Sequence, residues 1–365
     1  MSFKMPALGA LVDEQLDIIN LPTNRDWVIK GGPGTGKTVM AIVRAKQVSR
    51  YGKTVILVYN RPLKLFIDGA VNEANCEVKT YNEWISDAYR LYLGRDGFPH
   101  KSKYEPDYEL IEQELMNVGE KYAHVIIDEA QDCPIELVRT VKGMSKNITC
   151  FIDPNQEVLN NKTNTLQLLE TICIPAPYPL TKNFRNTKQI RNASMVFCLE
   201  GRPAMPFMQG PKPTMVKCDN YNEQEDYICD FVLNNRASTI GVIVDAFSLN
   251  KMYEKLEDRI GHIVPVQMFK SMRNVDFDFS LNGVQIFSYG TMKGLEFDSV
   301  IIARIDAVYN VNNDDKVNYN KLYVAATRAC KELKITYFNE NVNSKWIDAF
   351  AKINNDRNAF DWEEF

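Results

Sequence analysis

The chain has 365 residues, 45% of them apolar and 25% charged, with a formal net charge of -4. That length suffices for two ordinary cores, and the composition is that of a globular protein rather than a disordered or fibrous one. The mild acidity excludes a protein coated in basic surface, yet a local basic groove is enough to hold phosphates. No apolar run approaches the roughly 20 residues of a bilayer span, and the N-terminus lacks the pattern of a signal peptide, so cytoplasm is the expected location, with no membrane partner. Eight cysteines are scattered with no C-x-x-C pair, and the three histidines lie far apart. Reduced thiols are expected, not a zinc site or a disulfide framework.

Along the first half, short β-rich runs at 27–30, 54–59, 124–128 and 148–152 alternate with helical stretches, the pattern of a parallel α/β sheet. Residues 66–122 are mostly polar and helical, with a Gly-Arg-Asp-Gly-Phe-Pro break at 94–99, and read as a small insertion. The Pro-rich run at 175–179 reads as a linker, dividing the chain into domains 1–178 and 179–365. Beyond it, strands are expected at 214–217, 239–244, 284–287, 299–303 and 333–338. The Asn- and Asp-rich stretch 307–320 reads as a loop. The acidic tail from Asn354 reads as a terminal helix or as disorder.

Two motifs carry chemistry. Residues 31–38, Gly-Gly-Pro-Gly-Thr-Gly-Lys-Thr, fit G-x-x-x-x-G-K-[ST], with an apolar strand before and a helix-compatible run after. Such a turn aims backbone N–H groups, here around Gly32, Gly34, Thr35 and Gly36, at a phosphate chain. Lys37 then reaches the β- and γ-phosphates, and the Thr38 hydroxyl holds Mg²⁺. Residues 125–132, Val-Ile-Ile-Asp-Glu-Ala-Gln-Asp, are an apolar strand ending in paired carboxylates. Asp128 completes the Mg²⁺ shell beside Thr38, and Glu129 orients or deprotonates the attacking water. Together they make ATP and Mg²⁺ the expected cofactors.

The P-loop followed by Asp-Glu-Ala-Gln-Asp resembles the superfamily 1 DNA/RNA helicases, in their UvrD/Rep-like branch, and the resemblance continues in order along nearly the whole chain. It implies two RecA-like domains with parallel sheets and an ATP site in the cleft between them. It places Gln15 where that family reads adenine, and Gln156, in Asp153-Pro-Asn-Gln, where it senses the γ-phosphate. In Leu180-Thr-Lys-Asn-Phe-Arg-Asn-Thr it makes Phe184 the base-stacking aromatic and Arg185 a γ-phosphate contact. In Gly290-Thr-Met-Lys-Gly-Leu-Glu-Phe-Asp it gives Glu296 to the ribose and Thr291 to the nucleic-acid backbone. In Leu322-Tyr-Val-Ala-Ala-Thr-Arg-Ala it makes Arg328 a second arginine finger. Taken singly, Arg185 also reads as a salt-bridge residue and Arg328 as part of a solvated face; both falling inside motifs in the family's order favours the motif roles. Single-stranded nucleic acid, DNA before RNA, is the implied partner, with Asn60, Arg61 and Thr80 near the strand and Tyr81 or Trp84 stacking on bases.

The implied activity is a nucleic-acid-dependent ATPase moving 3′→5′ on single strands, with domain closure bringing the arginines to the triphosphate. The chain departs from the family pattern in three ways. The spacing between motifs leaves no room for large accessory subdomains. Glu157-Val-Leu-Asn-Asn-Lys stands where an aromatic-rich run is usual, and extra arginines before the tyrosine of the sixth motif are missing. These departures put processive unwinding in doubt and keep a second reading open: an ATP-gated nucleic-acid-binding switch acting on a protein partner such as a nuclease. A P-loop kinase of small molecules explains neither Glu129 nor the motif around Arg328.

Overall fold

Apolar β-branched runs bounded by glycine or polar turns make the central strands, and their burial on both faces calls for helices on either side of each sheet. Thr54–Val58 is buried at all five positions, and Thr239–Val244 at all six. The computed structural model describes the chain except for residues 1–11, 72–74, 104, 154–162, 200–204, 270–276, 279–280, 310–314 and 344. Its contacts divide into two units, one ending at Thr181 and one beginning at Lys182.

The first unit runs α1 (Asp13–Asn20), β1 (Trp27–Gly31), α2 (Lys37–Val48), β2 (Thr54–Val58), α3 (Arg61–Asp68), β3 (Cys76–Thr80), α4 (Tyr81–Ala88), β4 (His100–Ser102), β5 (Glu105–Pro106), α5 (Tyr108–Leu115), β6 (Tyr122–Ile127), α6 (Ile135–Gly143), β7 (Ser145–Ile152), α7 (Thr165–Ile172) and β8 (Tyr178–Leu180). Six strands form one sheet in the order β3-β2-β6-β7-β1-β8, parallel at every pairing, while β4 and β5 make a separate antiparallel pair. Because β7 lies between β1 and β6, the loops leaving the carboxyl ends of these three strands come out side by side. In open parallel sheets this is the edge where ligands bind. Val28, Leu57, Trp84, Ile127, Leu137 and Ile152 belong to the core beneath it.

The second unit continues with α8 (Lys188–Ser194), β9 (Thr214–Lys217), α9 (Tyr221–Asn234), β10 (Thr239–Val244), α10 (Leu249–Ile260), β11 (Val266–Met268), β12 (Gly283–Ser288), β13 (Phe297–Ile302), α11 (Asp315–Ala326), β14 (Ala329–Tyr337), α12 (Ala349–Ile353) and β15 (Asp361–Glu364). Its seven strands are again parallel, in the order β11-β12-β10-β13-β14-β9-β15. The chain is thus an α/β protein with two large parallel sheets. All eight cysteines are free, and no helix among the described residues is long and apolar enough to cross a membrane.

Four segments differ from the expectation raised by the sequence. The expected helical insertion at 66–122 carries β3, an edge strand of the main sheet whose polar Cys-Glu-Val-Lys-Thr sequence buries Val78 alone. Lys79 there pairs with Glu77 at 2.6 Å and Asp87 at 2.8 Å, which offsets its polarity. The expected linker at 175–179 runs into β8, an edge position where the missing N–H of Pro179 is tolerated. The expected loop at 307–320 gives way at Asp315 to α11. The acidic tail from Asn354 opens with a short 3₁₀ helix (Asn354–Ala359) and ends in β15, paired with β9 and joined to it by a Lys217–Glu364 bridge of 3.0 Å.

Candidate active site

In the first unit, β1 ends at Gly31 and α2 begins at Lys37, so the intervening turn is the phosphate loop. Gly34 and Gly36 take φ of 72° and 84°, left-handed values that favour glycine. A Cβ on Gly36 would also lie 2.5 Å from Gln15 Nε2, so α1 is docked directly onto the loop. Gln15 Nε2 donates to Thr35 O at 3.3 Å, and Gln15 Oε1 accepts from Val12 N at 3.4 Å. Buried Arg44 anchors the neighbouring turn, donating to Leu21 O at 2.7 Å and Pro22 O at 2.5 Å; burial lowers its guanidinium to about 10. The sequence reading gave Arg44 no role.

Lys37 is 6% exposed. Its Nζ donates to Gly31 O and Gly32 O, each at 3.0 Å, and meets Asp153 Oδ2 at 3.3 Å. Thr38 Oγ1 donates to Asp128 Oδ2 at 2.7 Å. Asp128 follows β6 and Asp153 follows β7, so the strand order brings both carboxylates to the loop that follows β1. Burial, and then the adjacent Glu129, raise the Asp128 carboxyl well above the usual range. The buried Asp128 carboxyl and the Thr38 hydroxyl bonded to it are hard oxygen donors of the kind that suits a divalent cation such as Mg²⁺. Glu129 itself has φ 56°, an uncommon left-handed conformation for a non-glycine residue.

Gln131, quoted within the motif but given no role there, bridges the set. Its Nε2 donates to Glu129 Oε2 at 2.6 Å, and its Oε1 accepts from Asp153 N at 3.0 Å. Gln156, expected to sense the γ-phosphate, lies outside the described residues.

Trp84 requires correction. It is 0% exposed within the hydrophobic core of the first unit, and Tyr81 is buried beside it with its hydroxyl donating to Asp128 O at 3.4 Å. Neither ring offers a face for a base. Asn60 and Thr80 are helix caps: Asn60 Oδ1 accepts from Leu63 N at 2.9 Å, and Thr80 forms a capping box with Glu83. Arg61 is exposed at the start of α3.

In the second unit the later motifs converge. Asn183 Oδ1 accepts from the N–H groups of Arg185 at 2.9 Å and Asn186 at 3.1 Å, a local turn that fixes Phe184 and Arg185. Asn186 Nδ2 then donates to Thr327 O at 3.0 Å and Ala329 O at 2.7 Å, on either side of Arg328. Arg185 Nε donates to Glu296 Oε2 at 2.8 Å. The cation of Arg185 therefore sits in a salt bridge within the motif cluster, and Glu296 is engaged by it. Arg328 does not sit on a solvated face. It is 1% exposed, and its guanidinium donates to Val324 O at 3.0 Å and Leu295 O at 3.2 Å. Thr291 Oγ1 is part of a tight turn, accepting from Ser288 N at 3.1 Å.

Residues 25–196 match the protein family described as Schlafen group 3, DNA/RNA helicase domain. This stretch is similar to a helicase domain. It runs from before β1 into the helical region after α8, ahead of the second sheet. Three solved structures are similar at lower level. One is the C-terminal domain of a possible DNA helicase from Lactobacillus strain WCFS1, 19% identical with TM-score 0.36, covering 49% of this chain and 98% of that one. The PRRSV helicase is 13% identical with TM-score 0.45, covering 88% of this chain and 54% of its own. Arterivirus nonstructural protein 10 (helicase) is 13% identical with TM-score 0.42, covering 90% and 63% respectively. The present chain therefore spans 54% and 63% of the two viral helicases. No curated protein matches it in sequence.

Proposed function

We propose that the chain is a nucleic-acid-dependent ATPase of the UvrD/Rep-like, superfamily 1 type, translocating 3′→5′ on single-stranded nucleic acid, DNA before RNA. The observation that carries this reading is the meeting of Lys37, Thr38, Asp128, Glu129 and Asp153 at the carboxyl edge of one parallel sheet. The N–H groups of the loop around Gly32, Gly34, Thr35 and Gly36 bind the phosphates, with Lys37 moving from the Gly31 and Gly32 carbonyls to the triphosphate. Thr38 and Asp128 hold Mg²⁺, which when bound neutralises charge on the phosphate oxygens. Glu129, held by Gln131, takes the proton of the attacking water or orients it.

On this reading Gln15 and Phe184 contact the base and Glu296 the ribose, while Gln156 and Arg185 sense the γ-phosphate. Arg328 supplies the second cation, and an arginine finger is worth about 10³–10⁵ in rate. Both arginines follow the first unit in the chain, so closure of two domains (1–178 and 179–365) is the step that couples hydrolysis to movement. Arg61 and Thr291 contact the nucleic-acid backbone.

The burial of Trp84 and the capping duties of Asn60 and Thr80 favour a second reading, in which ATP gates binding to nucleic acid and switches a protein partner such as a nuclease without processive unwinding. The deciding experiment measures ATP turnover against single- and double-stranded DNA and RNA, alongside a translocation assay. A motor shows stimulation by single strands together with movement, and a switch shows nucleotide-dependent binding without movement. Turnover indifferent to every nucleic acid would defeat the motor.

A further inference from the structure

Phe207 was not singled out by any motif, and the structure leaves 62% of it exposed. It is nevertheless held in place. Pro206 forms a parallel bridge with Asn183, and Met208 O accepts from Lys188 N at 2.8 Å. Gly210 N donates to Gln189 Oε1 at 2.9 Å, and Gln189 Nε2 donates to Gln209 Oε1 at 2.8 Å. A Cβ on Gly210 would come within 2.5 Å of Thr187 Cγ2, so this strip lies tightly against the turn that carries Phe184 and Arg185. The Phe207 ring stacks on Phe184 at 5.9 Å between centroids and 26° between planes.

Such a pair is an offset stack, the arrangement that aromatic quadrupoles favour. A base cannot enter between the rings, because two stacking contacts would need about 7 Å. A planar base therefore meets the outer face of Phe184, whose opposite face is covered by Phe207. We infer that the nucleobase platform of this protein is the Phe184–Phe207 pair, with Phe207 as a positioning residue that backs Phe184. This rests on the reading of Phe184 as the base-stacking residue given above. Stacking does not read the edges of a base, so ATP and GTP are affected alike.

The test is equilibrium binding of a fluorescent N-methylanthraniloyl-ATP, with ATP and GTP as competitors, to the full chain carrying F207A, F207L, F207Y or F184A. F207A is expected to weaken ATP and GTP about two- to tenfold, the range measured for aromatic pairs. F207Y should restore binding and F207L should not. Melting temperatures should stay near that of the parent, because Phe207 contributes little to any core. If F184A weakens nucleotide while F207A binds like the parent, the inference is overturned. Recovery in F207L would also overturn it, since apolar bulk would then suffice. If F184A itself binds normally, the base-stacking role of Phe184 fails first, independently of Phe207.

Discussion

Replacing Gln131 by alanine separates the geometry of the carboxylate cluster from its chemistry. Gln131 is 1% exposed and joins Glu129 to the backbone of Asp153 through contacts of 2.6 and 3.0 Å. Truncation strips the buried Asp153 N–H of that acceptor, which costs about 1–3 kcal/mol. It also removes a charge-assisted bond from Glu129, of similar size. The first unit should therefore lose about 2–4 kcal/mol of stability, partly recovered if water enters the gap. Nucleotide affinity should change little, because the phosphate loop and Lys37 are untouched. Hydrolysis should fall about 10- to 100-fold, since a displacement of about 1 Å in a reacting group costs that much. Single-turnover hydrolysis, equilibrium nucleotide binding and thermal unfolding read the three quantities separately. Normal hydrolysis in a measurably destabilised Gln131→Ala variant would refute the argument, reducing Gln131 to a structural bridge.

Glu129→Gln should leave nucleotide bound and slow hydrolysis about 10²–10⁴-fold, measured by single-turnover kinetics. Trp84→Ala should destabilise the first unit by about 3–5 kcal/mol in denaturant unfolding, whereas Trp84→Phe should leave single-strand affinity intact; lost affinity in the folded phenylalanine variant would restore a stacking role. His124 is buried against Thr149 Oγ1 at 2.8 Å, and burial, with Arg44 and Lys142 nearby, lowers its imidazole to about 3. The unfolded chain binds a proton there near pH 6.5 and the folded chain does not, so this contribution is whole above that pH. It falls by about 2 kcal/mol on going to pH 5, and His124→Gln should flatten that slope in unfolding titrations.

What the sequence made legible were the features whose physics is local. A glycine turn that needs left-handed backbone at Gly34 and Gly36, and apolar strands buried on both faces, announce themselves within a few residues. Edge strands do not. The residues of β3 and β15 are largely polar, and what holds them is backbone pairing to a neighbour distant in sequence, with ion pairs such as Lys217–Glu364 to neutralise the exposed side. The same reasoning explains Trp84: an aromatic after a strand reads alike whether it faces solvent or core, and only the packing of α4 in the core beneath the sheet decides.

The motif residues show a subtler limit. Sequence order named Arg185, Glu296 and Arg328 as separate contacts to one ligand, but not that these motifs bond to one another. Arg185 bonds Glu296, and Arg328 bonds the carbonyl of Leu295 beside it. An arginine already bonded is not thereby excluded from catalysis, because exchanging a carboxylate for a phosphate oxygen keeps its hydrogen bonds satisfied. The exchange sets a threshold: Arg185 leaves Glu296 only for a more negative partner. On the proposed reading, that partner is the γ-phosphate, and release of Glu296 toward the ribose is its necessary counterpart. Glu296→Gln should then weaken the hold on Arg185 and lower that threshold, so that ATP binding gains on ADP binding. An unchanged ATP-to-ADP affinity ratio in Glu296→Gln, by competition binding, would show that the two side chains do not exchange partners.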